Sequence, residues 1–472
     1  MTDVAVRSLP RVGWAEPPTF IVAGTGIALA VAVGTLSYVH PPLAWLGMGV
    51  LVLGAGAILV RTLEWRAGLM VLLIVTCLID RYTFSVGRLN IRPEHIAVAL
   101  LLAATVLDRA RSGRLDAFKP RLGEAFLVAW FVVAAASSVL DAPNRSDSVK
   151  VLALLAISSL ALFLPSRVIE KDQDVLDRIL RWLLLAFAID SAYAIGAYFL
   201  HLFGPTISIS VNPAGGHFNA YGTLWEPNVL GAISGAGALA WAHLGRDRFR
   251  HHWIGIALCF SACVVSLARA ALLAVVVVYA LSFVLPPGRR PNIRASLYAI
   301  ATALVTMAAL ILADVAGKYT IQPGGAIGSL GNGTDLIGRL NQFRPVFADL
   351  KASPILGLGI DSFGQRHVTQ GLAEHLANVE LLLLNDTGIL GLLLILGFIA
   401  MLAIAAWLRR HDAMVVGLTA TALVVFITNQ ATETLELMIT WLLLGLVSAA
   451  IYAAPNPVPP PGSARRARDT GT

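Results

Sequence analysis

Arg269 stands at the junction of two apolar runs, His375 at the mouth of another, and Arg339 on a predicted helix within a long polar loop. A guanidinium fork suits a pair of phosphate oxygens, because it donates two parallel hydrogen bonds and stays charged. Placed in a partly desolvated site, such groups stabilise the charge that develops on a departing diphosphate. A histidine near its ordinary pKa takes the proton of an attacking hydroxyl. The set therefore fits displacement of a phosphate-linked group by an alcohol. Arg344 on the same loop helix, and Glu226, Asn228 and Asn378 at the starts of apolar runs, are further polar candidates, and His367, Glu374 and His217 are alternative proton acceptors. Each has a plainer use as well. An arginine ending an apolar run snorkels to an interface. Arg339 and Arg344 suit a solvated helix face, and His375 suits a polar interface. Glu226 before Pro227 suits the start of a helix.

The elements that position these residues must be membrane helices. Of 472 residues, 57% are hydrophobic and only 13% are charged, with mean hydropathy +0.75. Soluble domains carry about 25% charged residues. The apolar residues fall into runs of roughly 15–25, the length that crosses a ~30 Å hydrocarbon core. A soluble enzyme, a fibrous protein and a disordered protein are all excluded. The sequence predicts an all-α, polytopic transmembrane helical bundle of 12–14 spans. The candidates lie near 19–37, 42–60, 67–80, 95–108, 122–140, 150–165, 180–200, 227–244, 253–267, 270–286, 294–314, 376–407, 413–430 and 437–454. The net charge of +7 does not point to nucleic acid, since the basic residues sit between apolar runs. Cys77, Cys259 and Cys263 lie inside such runs and suit small core positions, with no zinc spacing. No metal or cofactor is expected.

Positive residues set orientation. With the N-terminus inside, most of the 35 lysines and arginines fall in cytoplasmic connections, among them Arg61, Arg66, Arg109, Arg121, Arg167, Arg178 and Arg248. Both termini are then cytoplasmic. Residues 1–18 form a tail without a cleavable signal pattern, and 19–315 carry spans one to eleven. A large extracytoplasmic loop follows over 316–375, then spans twelve to fourteen over 376–454. The Pro-rich, basic segment 455–472 reads as a disordered tail.

Three outer features exceed plain connectors: 81–94, 201–225 and the loop 316–375. Within that loop Thr334 can cap a helix in which Leu336, Leu340, Phe343, Phe347 and Leu350 recur at helical spacing. Pro345 is expected to kink it. Arg339 and Arg344 would flank the apolar stripe on opposite sides.

Four outer segments, in order, resemble the superfamily of O-antigen ligases and Wzy-type O-antigen polymerases. Gly222-Thr-Leu-Trp-Glu226-Pro227-Asn228 is similar to G-x-F-x-[DE]-P-N, with Leu224 replacing the aromatic. Ser266-Leu-Ala-Arg269-Ala-Ala is similar to Ser-Arg-Gly-Ala with two residues inserted. Arg339, followed by Pro354-Ile-Leu-Gly357-Leu-Gly359-Ile-Asp-Ser-Phe363, resembles R…P-[LI]-x-G-x-G-x-x-x-F. His375-Leu-Ala-Asn378 and Asn385-Asp-Thr-Gly388-Ile-Leu-Gly391 resemble H-N…E-x-G-x-x-G, with His375 displaced and Asp386 in place of Glu.

The resemblance implies a GT-C-like, metal-independent, inverting glycosyltransferase of the cytoplasmic (inner) membrane, acting at its extracytoplasmic face. It implies an undecaprenyl-diphosphate-linked glycan donor and a glycan or glycolipid acceptor, with the lipid bilayer as solvent. Carried over by motif, His375, Arg339 and Arg269 are the catalytic candidates, and Glu226, Asn228, Arg344 and Asn378 the substrate-binding ones. Ligase and polymerase share the donor and stay unseparated. The alternative is a multi-pass secondary transporter or exporter. Against it, residues 1–230 and 231–472 show no repeat, and the polar residues gather at the outer mouth rather than at midplane.

Overall fold

The computed structural model describes residues 53–79, 84–86, 89–114, 121, 123–203, 211–214, 217–224, 226–284, 290–291, 293–315, 341–367, 376–432 and 434–454. The chain divides into a short unit, 1–55, and a main unit, 56–472. The main unit is a helical bundle. Its elements are α1 (Trp65–Cys77), α2 (Pro93–Arg111), α3 (Glu124–Leu140), α4 (Arg145–Ile169), α5 (Gln173–Phe203), α6 (Pro227–Leu244), α7 (His252–Val265), α8 (Arg269–Leu281), α9 (Ile293–Val315), α10 (Phe343–Ala352), α11 (Ser362–His367), α12 (Val379–Leu408), α13 (Ala413–Thr428) and α14 (Met438–Ala453). Three helices among the described residues have both the length and the apolarity to cross a bilayer: α4, α5 through His201, and α12. Several others, including α1, α3, α7, α13 and α14, are apolar but shorter.

Two antiparallel hairpins interrupt the helices, β1 (Phe84–Val86) with β2 (Leu89–Ile91) and β3 (Val211–Ala214) with β4 (His217–Ala220). Both lie in connections that the sequence marks as more than linkers, but the expected class, all-α, contained no strands.

α6 is the hub. Residues Val229 to Ala242 and Leu244 are buried, and the helix packs on α5, α7, α8 and α13. Small residues permit this. A Cβ on Gly231 would lie 2.4 Å from Ala268 Cβ, and one on Gly235 would lie 2.7 Å from Val275 Cγ2. Close backbone approach of this kind is how helices associate in lipid, where apolar burial gives little advantage.

One end of the bundle gathers a set of ion pairs. Arg167 and Glu124, both almost fully buried, form a two-pronged pair at 2.6 and 2.5 Å. Arg109 pairs with Glu170 and donates to Arg167 O at 2.6 Å. Arg121 donates to Ser166 O at 2.6 Å and lies over the Tyr452 ring. Burial, and then the neighbouring Arg167, lowers the Arg121 pKa. Arg178 reaches Glu64, and Arg248 reaches Asp177. These are residues that the sequence assigns to cytoplasmic connections. Arg109, Arg167 and Arg248 serve as buried cross-links rather than as solvated anchors.

Candidate active site

The opposite end of the bundle carries the residues selected for chemistry, and its central feature is a break in α12. Gly388 has φ 64 and ψ −168, non-helical values inside the helix. Span twelve is therefore two helical pieces, where the sequence predicts one. Breaking a helix in an apolar surrounding exposes backbone groups that must be satisfied. The segment 354–362 does this as a strap. Leu358 N–H donates to Asn385 O at 2.9 Å and Gly359 N–H to Asp386 O at 3.0 Å. In return, Ile389 N–H donates to Pro354 O at 3.0 Å and Leu390 N–H to Ile355 O at 3.3 Å.

The glycines of the strap follow from this contact. Gly357 has φ 72, and a Cβ there would lie 2.5 Å from Asp386 C. Gly359 has φ 92, and a Cβ would lie 2.6 Å from Ala142 Cβ. Side chains complete the lock. Ser137 Oγ donates to Asp386 O at 2.7 Å, and Trp130 Nε1 donates to Thr387 Oγ1 at 3.3 Å. The buried Asp386 carboxylate accepts Asp361 N–H at 3.0 Å, Ser362 Oγ at 3.3 Å and Asn385 Nδ2 at 3.0 Å. Asn385 and Asp386 thus face inward, as their depth in the sequence requires.

The segment 341–367 is fastened beside this lock. Val346 of α10, Phe363 of α11, Leu376 and Leu381 form one apolar cluster. Asp349, 3% exposed, takes His367 Nε2 at 2.7 Å and Arg366 at 3.2 Å. His367 is therefore a buried tie between α10 and α11. The expected loop helix differs in detail. Its described part begins at Phe343, which places Pro345 in the first turn, where its missing N–H costs nothing. No kink follows. The buried face is Gln342, Val346 and Asp349, while Phe343 and Phe347 stay 40% and 49% exposed, against the stripe expected from the sequence. A cleft opens between these elements, lined by Trp130, Asp361, Phe363, Leu376, Asp386 and Glu436.

Arg269 is exposed and is the first residue of α8. Ser266 makes the turn into it, donating to Cys263 O at 2.7 Å and accepting Ala268 N–H at 3.3 Å. Leu267, part of the insertion relative to the family pattern, takes φ 54. A cation at a helix N-terminus opposes the macrodipole, so helix stability does not account for an arginine there. Glu226 is the N-cap of α6, followed by Pro227 at the first helical position, and its side chain makes no capping bond. Asn228 is half-buried in the first turn. The Gly231–Ala268 approach joins the starts of α6 and α8 in one corner.

Asn378 caps α12, accepting Leu381 N–H at 2.9 Å, and donates to Gln430 Oε1 at 3.1 Å. Gln430 in turn donates to Glu380 at 2.7 Å. Its amide is thus engaged in starting the helix. Arg344 is exposed on α10. Arg339, His375, Glu374 and Thr334 lie outside the described residues, as does the side chain of His217. Three residues at this end carry no family signal that singles them out in the sequence: Glu436, which follows no motif, and Ser137 and Trp130, which precede the motifs by more than eighty residues.

Residues 254–396 match the O-antigen ligase family. Over this segment the chain is similar to the O-antigen ligase family. The matched stretch includes Arg269, the strap and the broken α12. It ties the chain to O-antigen ligase-like work in polysaccharide assembly, in a helical integral membrane protein. No curated protein matches the chain.

Proposed function

We propose that the protein is an inverting, metal-independent glycosyltransferase. It moves a glycan from undecaprenyl diphosphate to a lipid-linked or sugar acceptor on the outer face of the cytoplasmic membrane. One observation carries this reading: within the family-matched segment, Arg269 is exposed at the start of α8, at the bundle end opposite the buried Arg167–Glu124 pair. Arg269 and Arg339 would hold the diphosphate, and Arg344 would add to the field. Glu226 and Asn228, in the same corner as Arg269, would orient the arginine and the sugar.

In the transfer, an acceptor hydroxyl oxygen bonds to the anomeric carbon as its proton passes to His375. The anomeric C–O bond to phosphate breaks, and its electron pair leaves with undecaprenyl diphosphate. Asn378 would hold the start of α12 beside His375. The engagement of His367 by Asp349 favours His375 as the proton acceptor, because a buried, doubly packed ring cannot meet a substrate hydroxyl.

Deletion followed by analysis of lipid-linked glycans tests the reading. Long chains accumulating on undecaprenyl diphosphate identify a ligase, and accumulated single repeat units identify a polymerase. Unchanged lipid-linked glycans would return the reading to a transporter or exporter.

A further inference from the structure

We infer that Asp190 is a positioning residue for this transfer: through Thr223 it fixes the turn that brings Glu226 to the Arg269 corner. The inference rests on the transferase reading above. Asp190 lies in the middle of α5 and is 7% exposed. An ionisable side chain at such a depth is costly and marks a partner or a task. Its Oδ1 accepts the hydroxyl of Thr223 at 2.6 Å, and the same hydroxyl lies 2.5 Å from Leu78 O. Leu78 is the C-cap of α1, where helix carbonyls lack partners of their own. One side-chain atom of Thr223 thus joins α1, α5 and the turn into α6.

The turn is fitted to this junction. Leu224 N–H donates to Tyr221 O at 3.0 Å, and the Leu224 side chain is fully buried. Gly222 takes φ 61, and a Cβ there would lie 3.1 Å from Ala194 Cβ of α5 and 3.5 Å from Leu230 Cδ1 of α6. The body of α6 does not need the tie, since Val229 to Ala242 are buried among α5, α7, α8 and α13. What the tie adds is a fixed entry to the helix. Thr223 is three residues before Glu226, so at up to ~3.6 Å per residue their Cα atoms stay within about 11 Å. Glu226 O accepts Leu230 N–H at 3.1 Å, while the Glu226 side chain makes no cap bond to its own helix. The Gly231–Ala268 approach places that helix start beside Arg269. A carboxylate that orients an arginine must itself be held, because a misplacement of about 1 Å can cost ~100-fold in rate.

The test uses the full-length protein in proteoliposomes, with a polyprenyl-diphosphate-linked oligosaccharide as donor and a lipid-linked sugar as acceptor. Asp190→Ala and Thr223→Val each remove the bond and are expected to lower kcat by about 10–100-fold, with KM within about threefold. Asp190→Asn keeps a side-chain oxygen for Thr223 and is expected to stay within about threefold of wild type. Hydrogen exchange gives a second readout: the Leu224 amide should lose protection in Asp190→Ala and keep it in Asp190→Asn. A double-mutant cycle separates positioning from general weakening of the fold. In a Glu226→Ala background, Asp190→Ala should lower kcat by less than about threefold more. A full additional loss in that background overturns the positioning role. Wild-type kcat in both Asp190→Ala and Thr223→Val, or unchanged protection at Leu224, overturns it too and leaves the transferase reading standing. A wild-type protein that transfers nothing overturns the transferase reading and the positioning role with it.

Discussion

Replacing Gly388 with alanine should release the strap from the broken α12. The backbone at Gly388, φ 64 and ψ −168, lies in a region that is essentially glycine-only, and holding another residue there costs about 1–3 kcal/mol. The new Cβ would also sit 2.3 Å from Ile355 O and 2.7 Å from Gly357 N, so strap and helix cannot stay in register. Four backbone hydrogen bonds cross this contact, each worth about 0.5–1.5 kcal/mol net, or about 2–6 kcal/mol together. Local detachment is therefore cheaper than keeping the strained contact. A loss of ~3 kcal/mol in opening free energy corresponds to roughly 100-fold faster amide exchange. Exchange mass spectrometry should show that acceleration at Leu358 and Gly359. The control is Gly196→Ala in α5, where an added Cβ meets nothing within 4 Å. There the alanine should be neutral or stabilising by about 0.5–1 kcal/mol. Wild-type exchange over 354–361 in Gly388→Ala would refute the reasoning.

Two further outcomes follow from the opposite ends of the bundle. Glu124→Ala leaves Arg167 buried without its carboxylate, a loss of about 3–5 kcal/mol. Detergent-solubilised protein should show a clearly lowered unfolding temperature, with Glu124→Gln in between. For orientation, Arg111→Cys and Phe347→Cys, both at exposed positions, can be labelled with an impermeant maleimide in spheroplasts. The native cysteines are buried and should stay silent. Phe347→Cys should label in intact spheroplasts and Arg111→Cys only after lysis, and the reverse pattern would invert the proposed topology.

Several helices were legible because apolar length is a local property. The predicted 227–244 coincides with α6, and 413–430 with α13 to within two residues. What the sequence hides is non-local. Gly388 follows Asn385-Asp386-Thr387 inside an otherwise apolar run, and its break exists because residues 354–362 come back to satisfy it. Arg167 reads as an interfacial anchor, yet its partner Glu124 lies 43 residues away and both are buried. The loop helix kept its period but not its phase. Spacing suggested Phe343 and Phe347 as the buried stripe, whereas the tie of Asp349 to His367 turns Val346 inward. At the site, the motifs mark the segments that hold the strap, Arg269 and Glu226 in the chain. They could not show that Asp386 holds the strap and Asn378 caps a helix, because a motif records which residues occur and not what they touch.

The most direct test of the central claim is single-turnover transfer in proteoliposomes, following release of polyprenyl diphosphate and glycosylation of the acceptor together. The account predicts matched release and transfer by the wild-type protein, lost by at least about 100-fold in Arg339→Ala and His375→Ala at unchanged abundance. Transfer at the wild-type rate by both variants would contradict it.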